Sequence, residues 1–251
     1  MKTGDNITIK SLEEIKILSD AGKILADIIN ALKSSLKAGI TTKGIDQQAE
    51  QLIHQYNVQP AFKGYRGFPA CACVSINEQV VHGIPSQRVI RDGDIVSLDV
   101  GIIHRNYYAD TAVTVPVGTI PSSWQNLLDV TYASLYKGIE QARVDQHLSD
   151  ISHAIQRYVE DNHLSIVRDF VGHGIGRHLH EEPEIPNFGE PHQGPLLKAG
   201  MVFAIEPMVN LGTWHTRILE DGWTVVTQDG KPSAHFEHTI AITENGARIL
   251  T

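Results

Sequence analysis

An α+β fold assembled from two related halves is what this sequence predicts, and three observations carry it. Apolar residues recur at helical spacing in two separate regions. They alternate with polar residues in two others. One motif order also appears twice. Arg91-Asp92-Gly93-Asp94-Ile95-Val96-Ser97-Leu98-Asp99 lines up with Lys198-Ala199-Gly200-Met201-Val202-Phe203-Ala204-Ile205-Glu206. The shared pattern is basic-x-Gly-x-aliphatic-x-x-aliphatic-acid. Likewise Asp110-Thr111-Ala112-Val113-Thr114-Val115 resembles Glu237-His238-Thr239-Ile240-Ala241-Ile242. Two matches in the same order point to a duplicated half. Neither segment between them reads as a linker, so one domain over residues 1–251 is expected, with a short tail at about 1–8.

The elements follow in order. Ser11-x-x-Glu14 is a capping box. Leu12, Ile15, Leu18, Ile24, Leu25, Ile28, Leu32 and Leu36 then keep helical spacing, and Gly39 is expected to end that helix. A second helix is predicted over about 43–56, with Ala49, Leu52 and Ile53 inward. Residues 64–69 form a loop rich in Gly and aromatics, and residues 72–76 a short strand. Residues 95–103 form a strand with Val96, Leu98, Val100 and Ile102 on one face, which places Asp99 on the other. Arg105-Asn106 fits a hairpin turn into a strand over 108–115, with Asp110, Ala112 and Thr114 on one face. Helices are predicted over about 121–142 and 149–161. Strands are predicted over 202–207 and 234–243, with Glu206 and Glu237 each on one face.

Composition excludes several function classes. The chain has 251 residues, 41% of them apolar, enough for a sizeable core. Its formal charge is −8 with no basic run, so nonspecific nucleic-acid binding is not expected. No apolar run is long enough to span a bilayer, and the first ten residues do not read as a signal peptide. Cys71 and Cys73 are too close for a comfortable disulfide and lack the paired C-x-x-C of a zinc ribbon. They read as reduced, buried thiols of a cytoplasmic protein.

The chemistry concentrates in Gly172-His173-Gly174-Ile175-Gly176-Arg177-His178-Leu179-His180. Its glycines leave a bare backbone that can bend or be approached closely. Its histidines offer metal ligands or acid/base groups. Alone, such a tract also fits a solvated loop. The four acids Asp99, Asp110, Glu206 and Glu237 decide between these readings. They lie on strands among apolar neighbours, and buried carboxylates are costly unless paired or metal-bound. Carboxylates can bridge two ions about 3.5–4 Å apart, a recurring arrangement in hydrolases. One imidazole, His173, biases such a site toward Mn, Fe, Co or Zn rather than Ca or Mg.

At this point a family is recognisable. Asn77-Glu78, Val81-His82-Gly83-Ile84-Pro85, Gly93 to Asp99, Asp110-Thr111, Gly172 to Gly176, His180-Glu181-x-Pro183, Phe203 to Pro207, Asp221-Gly222-Trp223 and Glu237-His238-Thr239 closely resemble the type I methionine aminopeptidases of bacteria. The resemblance runs from about Ile9 to Ile249. It implies the "pita-bread" fold, a pseudo-two-fold antiparallel sheet backed by helices, in agreement with the repeat. It implies removal of the first methionine from nascent chains, near the ribosome, by a cytoplasmic monomer.

The resemblance implies that Asp99, Asp110, His173, Glu206 and Glu237 hold two divalent ions, of Co, Mn, Fe or Zn. A metal-bridging water would attack the scissile carbonyl, with Glu206 relaying its proton. His180 would hydrogen-bond the carbonyl oxygen and His82 the leaving nitrogen. Tyr65, Phe68, Cys73 and Trp223 would line the methionine pocket. Asn77 and Ser233 resemble a monovalent-cation site, for Na or K.

The sequence departs from the family at Phe62, at Tyr107-Tyr108-Ala109 before Asp110, at His178 and at Leu179. These changes bear on substrate preference and metal choice. His178 reads as a solvated or pocket-rim residue. His192, His215, His235 and the remaining histidines receive no role. Two other functions are weighed. A prolidase or aminopeptidase P relative would carry an added N-terminal domain, and a catalytically dead binding module would have lost ligands.

Overall fold

The strand Ile95–His104 pairs antiparallel with Tyr107–Pro116 over its whole length, and everything else is arranged about this hairpin. Arg105 and Asn106 turn it at φ of 48° and 64°, the left-handed pair that a two-residue hairpin favours. In this computed structural model, which describes residues 6–251, the second strand of the hairpin pairs with Glu237–Thr243. That strand pairs with Val202–Ile205, then Gly172–Gly174 and Glu181–Ile185 follow. Short pairings with 59–60, 72–76 and 246–249 complete a nine-stranded sheet. Of the tail expected over 1–8, residues 1–5 lie outside the described residues.

The alternation predicted from sequence separates two faces of the sheet. Val96, Leu98, Val100 and Ile102 pack with helices α1 (Leu12–Ser35) and α2 (Thr42–Gln55) in one core. Phe203, Ile205, Ile240 and Ile242 pack with α3 (Ser122–Gln141) and α4 (Leu148–Asp161) in a second core. Each half thus covers its own part of the same face with a helix pair. The opposite side is left to Asp99, Asp110, Glu206 and Glu237.

Local signals hold in detail. Ser11 Oγ accepts the Glu14 N–H at 3.2 Å while Glu14 Oε2 accepts the Ser11 N–H at 2.9 Å, the expected capping box. Gly39 does not end α1. The helix stops at Ser35, and Gly39, at φ 95°, instead donates to the Ile90 carbonyl.

Three strand expectations change. Val202–Ile205 is shorter than expected, because Pro207 has no N–H to continue a ladder. The single strand expected over 234–243 is two. Ser233–His235 pairs with Met208–Asn210 in a small separate sheet, and the chain rejoins the main sheet only at Glu237. Gly172–Gly174 is a strand rather than a bend. Its glycines are there for close approach: a Cβ on Gly172 would lie 2.5 Å from the Ala204 carbonyl oxygen, and one on Gly174 would meet the Glu182 carbonyl.

Candidate metal centre

Strand register brings the acids together. Ala112 stands opposite Asp99 on one side and opposite Glu237 on the other. Its methyl is the only side chain between two carboxylates on that row. Asp110, two residues earlier on the same strand, shares their face. Threonines clamp the seam between the halves. Thr239 Oγ accepts the Asp110 N–H at 3.1 Å and donates to the Asp110 carbonyl at 2.8 Å. Thr111 Oγ donates to the Glu237 carbonyl at 2.7 Å.

His173 is aimed by its own backbone. Its Nδ1 lies 2.9 Å from the Gly174 carbonyl, which can only accept, so Nδ1 carries the proton. That leaves the Nε2 lone pair facing Glu206 Oε1 at 3.5 Å. Side-chain atoms of Asp110, His173 and Glu237 that could hold a metal ion lie within 4.8 Å of one another.

The electrostatics of the cluster favour a cation. Asp99 Oδ1, Asp110 Oδ1 and Glu237 Oε1 are buried without a hydrogen-bond partner among the described residues. Each such orphan costs about 1–3 kcal/mol, more when charged. Burial raises the pKa of all four acids. Mutual repulsion raises three of them further: Asp99 and Glu206 act on Asp110, Asp110 and Glu206 on Glu237, and Asp99 on Glu206. Burial pushes His173 the other way, to about 3, so its imidazole is neutral and free to ligate. Acids that resist ionising, facing a bare imidazole nitrogen, fit divalent metal by the chemistry of the donor set.

The two further histidines stand at the mouth. The His180 ring centroid lies 4.3 Å from that of His173, and its Nδ1 lies 2.8 Å from the Tyr65 hydroxyl. Burial, then Arg66, lowers its pKa. His82 sits at φ 58°, its ring edge-on to Phe170 and Trp223. Burial lowers it to about 4.

Beside them opens a cavity of about 280 Å³ whose lining includes Tyr65, Phe68, Cys73 and Trp223, together with Phe62 and Leu179. The rings of Phe68 and Trp223 meet edge-to-face at 5.2 Å. Burial, then Asp99 and Asp110, keeps the Cys73 thiol protonated. Both cysteines are free and buried, as expected. His178 is exposed.

Asn77 and Ser233 are also neighbours, through a Ser233 N–H to Asn77 carbonyl bond of 2.9 Å. Their side chains are already engaged. Asn77 Oδ1 accepts the Ile95 N–H and its amide donates to Asp94, while Ser233 Oγ donates to the Val209 carbonyl.

Arg66 and Phe170, not expected from the sequence, also line the cavity. His235 is 2% exposed, and its Nε2 lies 3.8 Å from Glu206 Oε2. Stepping back two residues from Glu237 would have found it, since alternate residues share a face.

A metal-dependent hydrolase is the class that this fold and donor set define. The family model of metallopeptidase family M24 matches residues 16–244, and the chain belongs to that family. It is 54% identical over 245 residues to methionine aminopeptidase 1 of Bacillus subtilis, covering 98% of this chain and 99% of the relative. It is 53% identical over 245 residues to the methionine aminopeptidase of Clostridium perfringens, covering 98% of each. The structure of methionine aminopeptidase from Thermotoga maritima matches with a TM-score of 0.96 and 46% identity, over 98% of this chain and 99% of that one. The prolidase of Pyrococcus horikoshii shares the fold alone, with a TM-score of 0.78 and 22% identity over 97% of this chain and 63% of that chain. Membership of this family brings divalent metal ions with it. Among the described residues no helix is long and apolar enough to cross a membrane.

Proposed function

We propose that this chain is a methionine aminopeptidase. It would remove the first methionine from nascent proteins and peptides whose second residue is small, as one catalytic domain spanning residues 1–251. One observation carries the reading: an apolar, partly aromatic cavity of about 280 Å³ shares its lining with Asp99, Asp110, His173, Glu206 and Glu237. That volume is just below the roughly 300–1,000 Å³ of small-molecule sites, so it suits one side chain rather than a run of peptide. Thioether sulfur against aromatic rings contributes about 0.3–1.5 kcal/mol per contact.

Two divalent ions held by Asp99, Asp110, His173, Glu206 and Glu237 would supply Lewis acidity and a nucleophile that ionises near neutral pH. Mn, Fe, Co and Zn suit this set, because His173 adds nitrogen to the carboxylates. Glu206 takes the proton of the attacking water and passes it on. The Tyr65 hydroxyl lies 2.8 Å from His180 Nδ1, and with the phenol as donor the imidazole proton sits on Nε2. His180 can then donate to the scissile carbonyl oxygen as negative charge grows there. His82, which lines the same cavity, would contact the departing nitrogen. A monovalent cation, Na or K, beside Asn77 and Ser233 would be held by main-chain carbonyls, since both side chains are hydrogen-bonded already. The working place expected is the cytoplasm, as a monomer acting on chains emerging from the ribosome.

Peptide selectivity tests this reading. The chain should release methionine from Met-Ala-Ser and leave Ala-Pro-X peptides intact. The reverse preference would favour the prolidase or aminopeptidase P reading, and cleavage of neither would favour an inert binding module.

A further inference from the structure

We propose that His235 is a positioning residue that orients Glu206 for metal binding, by donating its Nε2–H to the outer carboxylate oxygen, Oε2. The inference rests on Glu206 being a metal ligand. His235 is 2% exposed, and neither ring nitrogen has a hydrogen-bond partner among the described residues. A buried imidazole with both nitrogens idle costs about 1–3 kcal/mol for each unsatisfied group, so packing alone gives no reason for it. A leucine or phenylalanine would fill that volume without the cost.

The carboxylate that faces it is Glu206. Its Oε2 lies 3.8 Å from His235 Nε2, while its Oε1 lies 3.5 Å from His173 Nε2, among the other ligand residues. The two oxygens therefore face different partners. Oε1 is turned toward the metal ligands and Oε2 toward His235. At 3.8 Å the contact is not yet a hydrogen bond. The terminal carboxylate torsion of glutamate is broad and soft, so a small rotation closes the gap when a cation draws in Oε1.

His235 itself cannot drift. Its backbone N–H donates to Thr114 Oγ at 2.8 Å, and the same hydroxyl lies 2.8 Å from its carbonyl. Met208 pairs with it in the small sheet, and the next residue, Phe236, donates its N–H to the Pro207 carbonyl. The imidazole and the carboxylate thus hang from two chain segments bonded to each other. Ligands are commonly oriented by such outer hydrogen bonds, and losing one weakens metal binding by about 10–100-fold.

Calorimetric titration of chelator-stripped protein with Mn²⁺ tests the assignment, beside steady-state kinetics on Met-Ala-Ser. In glutamine the amide nitrogen falls near the place of imidazole Nε2, whereas asparagine reaches only as far as Nδ1. His235→Gln should therefore bind Mn²⁺ within about threefold of wild type, while His235→Asn and His235→Leu weaken it about 10–100-fold. In the weakened variants kcat should fall with KM for the peptide held. Thermal melts of the stripped proteins should show His235→Leu at least as stable as wild type. The assignment is overturned if Asn and Leu bind Mn²⁺ like wild type, or if Gln is as weak as Leu. Wild-type protein that binds no Mn²⁺ would instead overturn the metal centre, and this inference with it.

Discussion

Lys10 Nζ lies 2.6 Å from Glu181 Oε2, joining residues 171 apart in an ion pair whose side chains are 3% and 11% exposed. Lys10 precedes α1, and Glu181 follows His180 directly. Glu181 also accepts the His178 N–H at 3.1 Å, so one carboxylate fastens both ends of the loop that carries His180. Removing one partner of a buried pair leaves the other uncompensated, at about 3–5 kcal/mol. Lys10→Met should lose stability on that scale in urea denaturation. The double change Lys10→Met with Glu181→Gln should recover much of it.

The buried acids make a pH prediction whose sign follows from their environment. Burial raises the pKa of Asp99, Asp110, Glu206 and Glu237 in the folded chain, so the folded state holds protons that the unfolded state has released. Stability from these groups is present at low pH and is lost as pH rises. Buried His82, His173 and His235 act in the opposite sense, being held near 3 to 4, and cost stability only as pH falls below about 6.5. Above that pH the acids set the slope, and at higher pH the buried Cys71 and Cys73 thiols add to it in the same sense. Chelator-stripped protein should lose stability from pH 6.5 upward, by up to about 1.4 kcal/mol per pH unit for each proton retained. Saturating Mn²⁺ should flatten the curve. Thermal melts with and without metal check both halves of the statement.

Close packing rather than turn geometry explains the glycines around His173. A Cβ at Gly174 would collide with backbone of Glu182, which cannot move aside as a side-chain tip could. Gly174→Ala should therefore displace the strand that aims His173. Metal affinity should fall at least tenfold, measurable by calorimetry, with a lower melting temperature.

Trp223 meets Phe68 edge-to-face, and both line the cavity proposed for methionine. Trp223→Ala removes one aromatic wall without touching the acids. KM for Met-Ala-Ser should rise about 10–100-fold, the usual worth of one or two hydrophobic contacts in a specificity pocket. Mn²⁺ affinity should stay within twofold. Peptide kinetics and metal titration on the same preparation separate the two.

Much of this was written plainly in the chain. Alternation over 96–102 put Asp99 on the face away from the core that α2 helps to form, where it is found. The twice-occurring motif located Glu206 and Glu237 and foretold the paired halves. What stayed hidden has a physical reason. Strands such as Met208–Asn210, Thr216–Ile218 and Val225–Thr227 are three residues long, too short to show a period of two. Gly172–Gly174 carries two residues without side chains, so it showed no alternation at all. His235 was within reach of the same alternation, two residues before Glu237, but a lone histidine outside any motif carried no signal of its own.

The most direct test is methionine release from Met-Ala-Ser by chelator-stripped protein, before and after return of two equivalents of Mn²⁺, with Asp110→Asn run beside wild type. Wild type should be silent when stripped and active when reloaded, while Asp110→Asn stays folded and silent in both states. Full activity of stripped wild type, or of Asp110→Asn, would contradict the account.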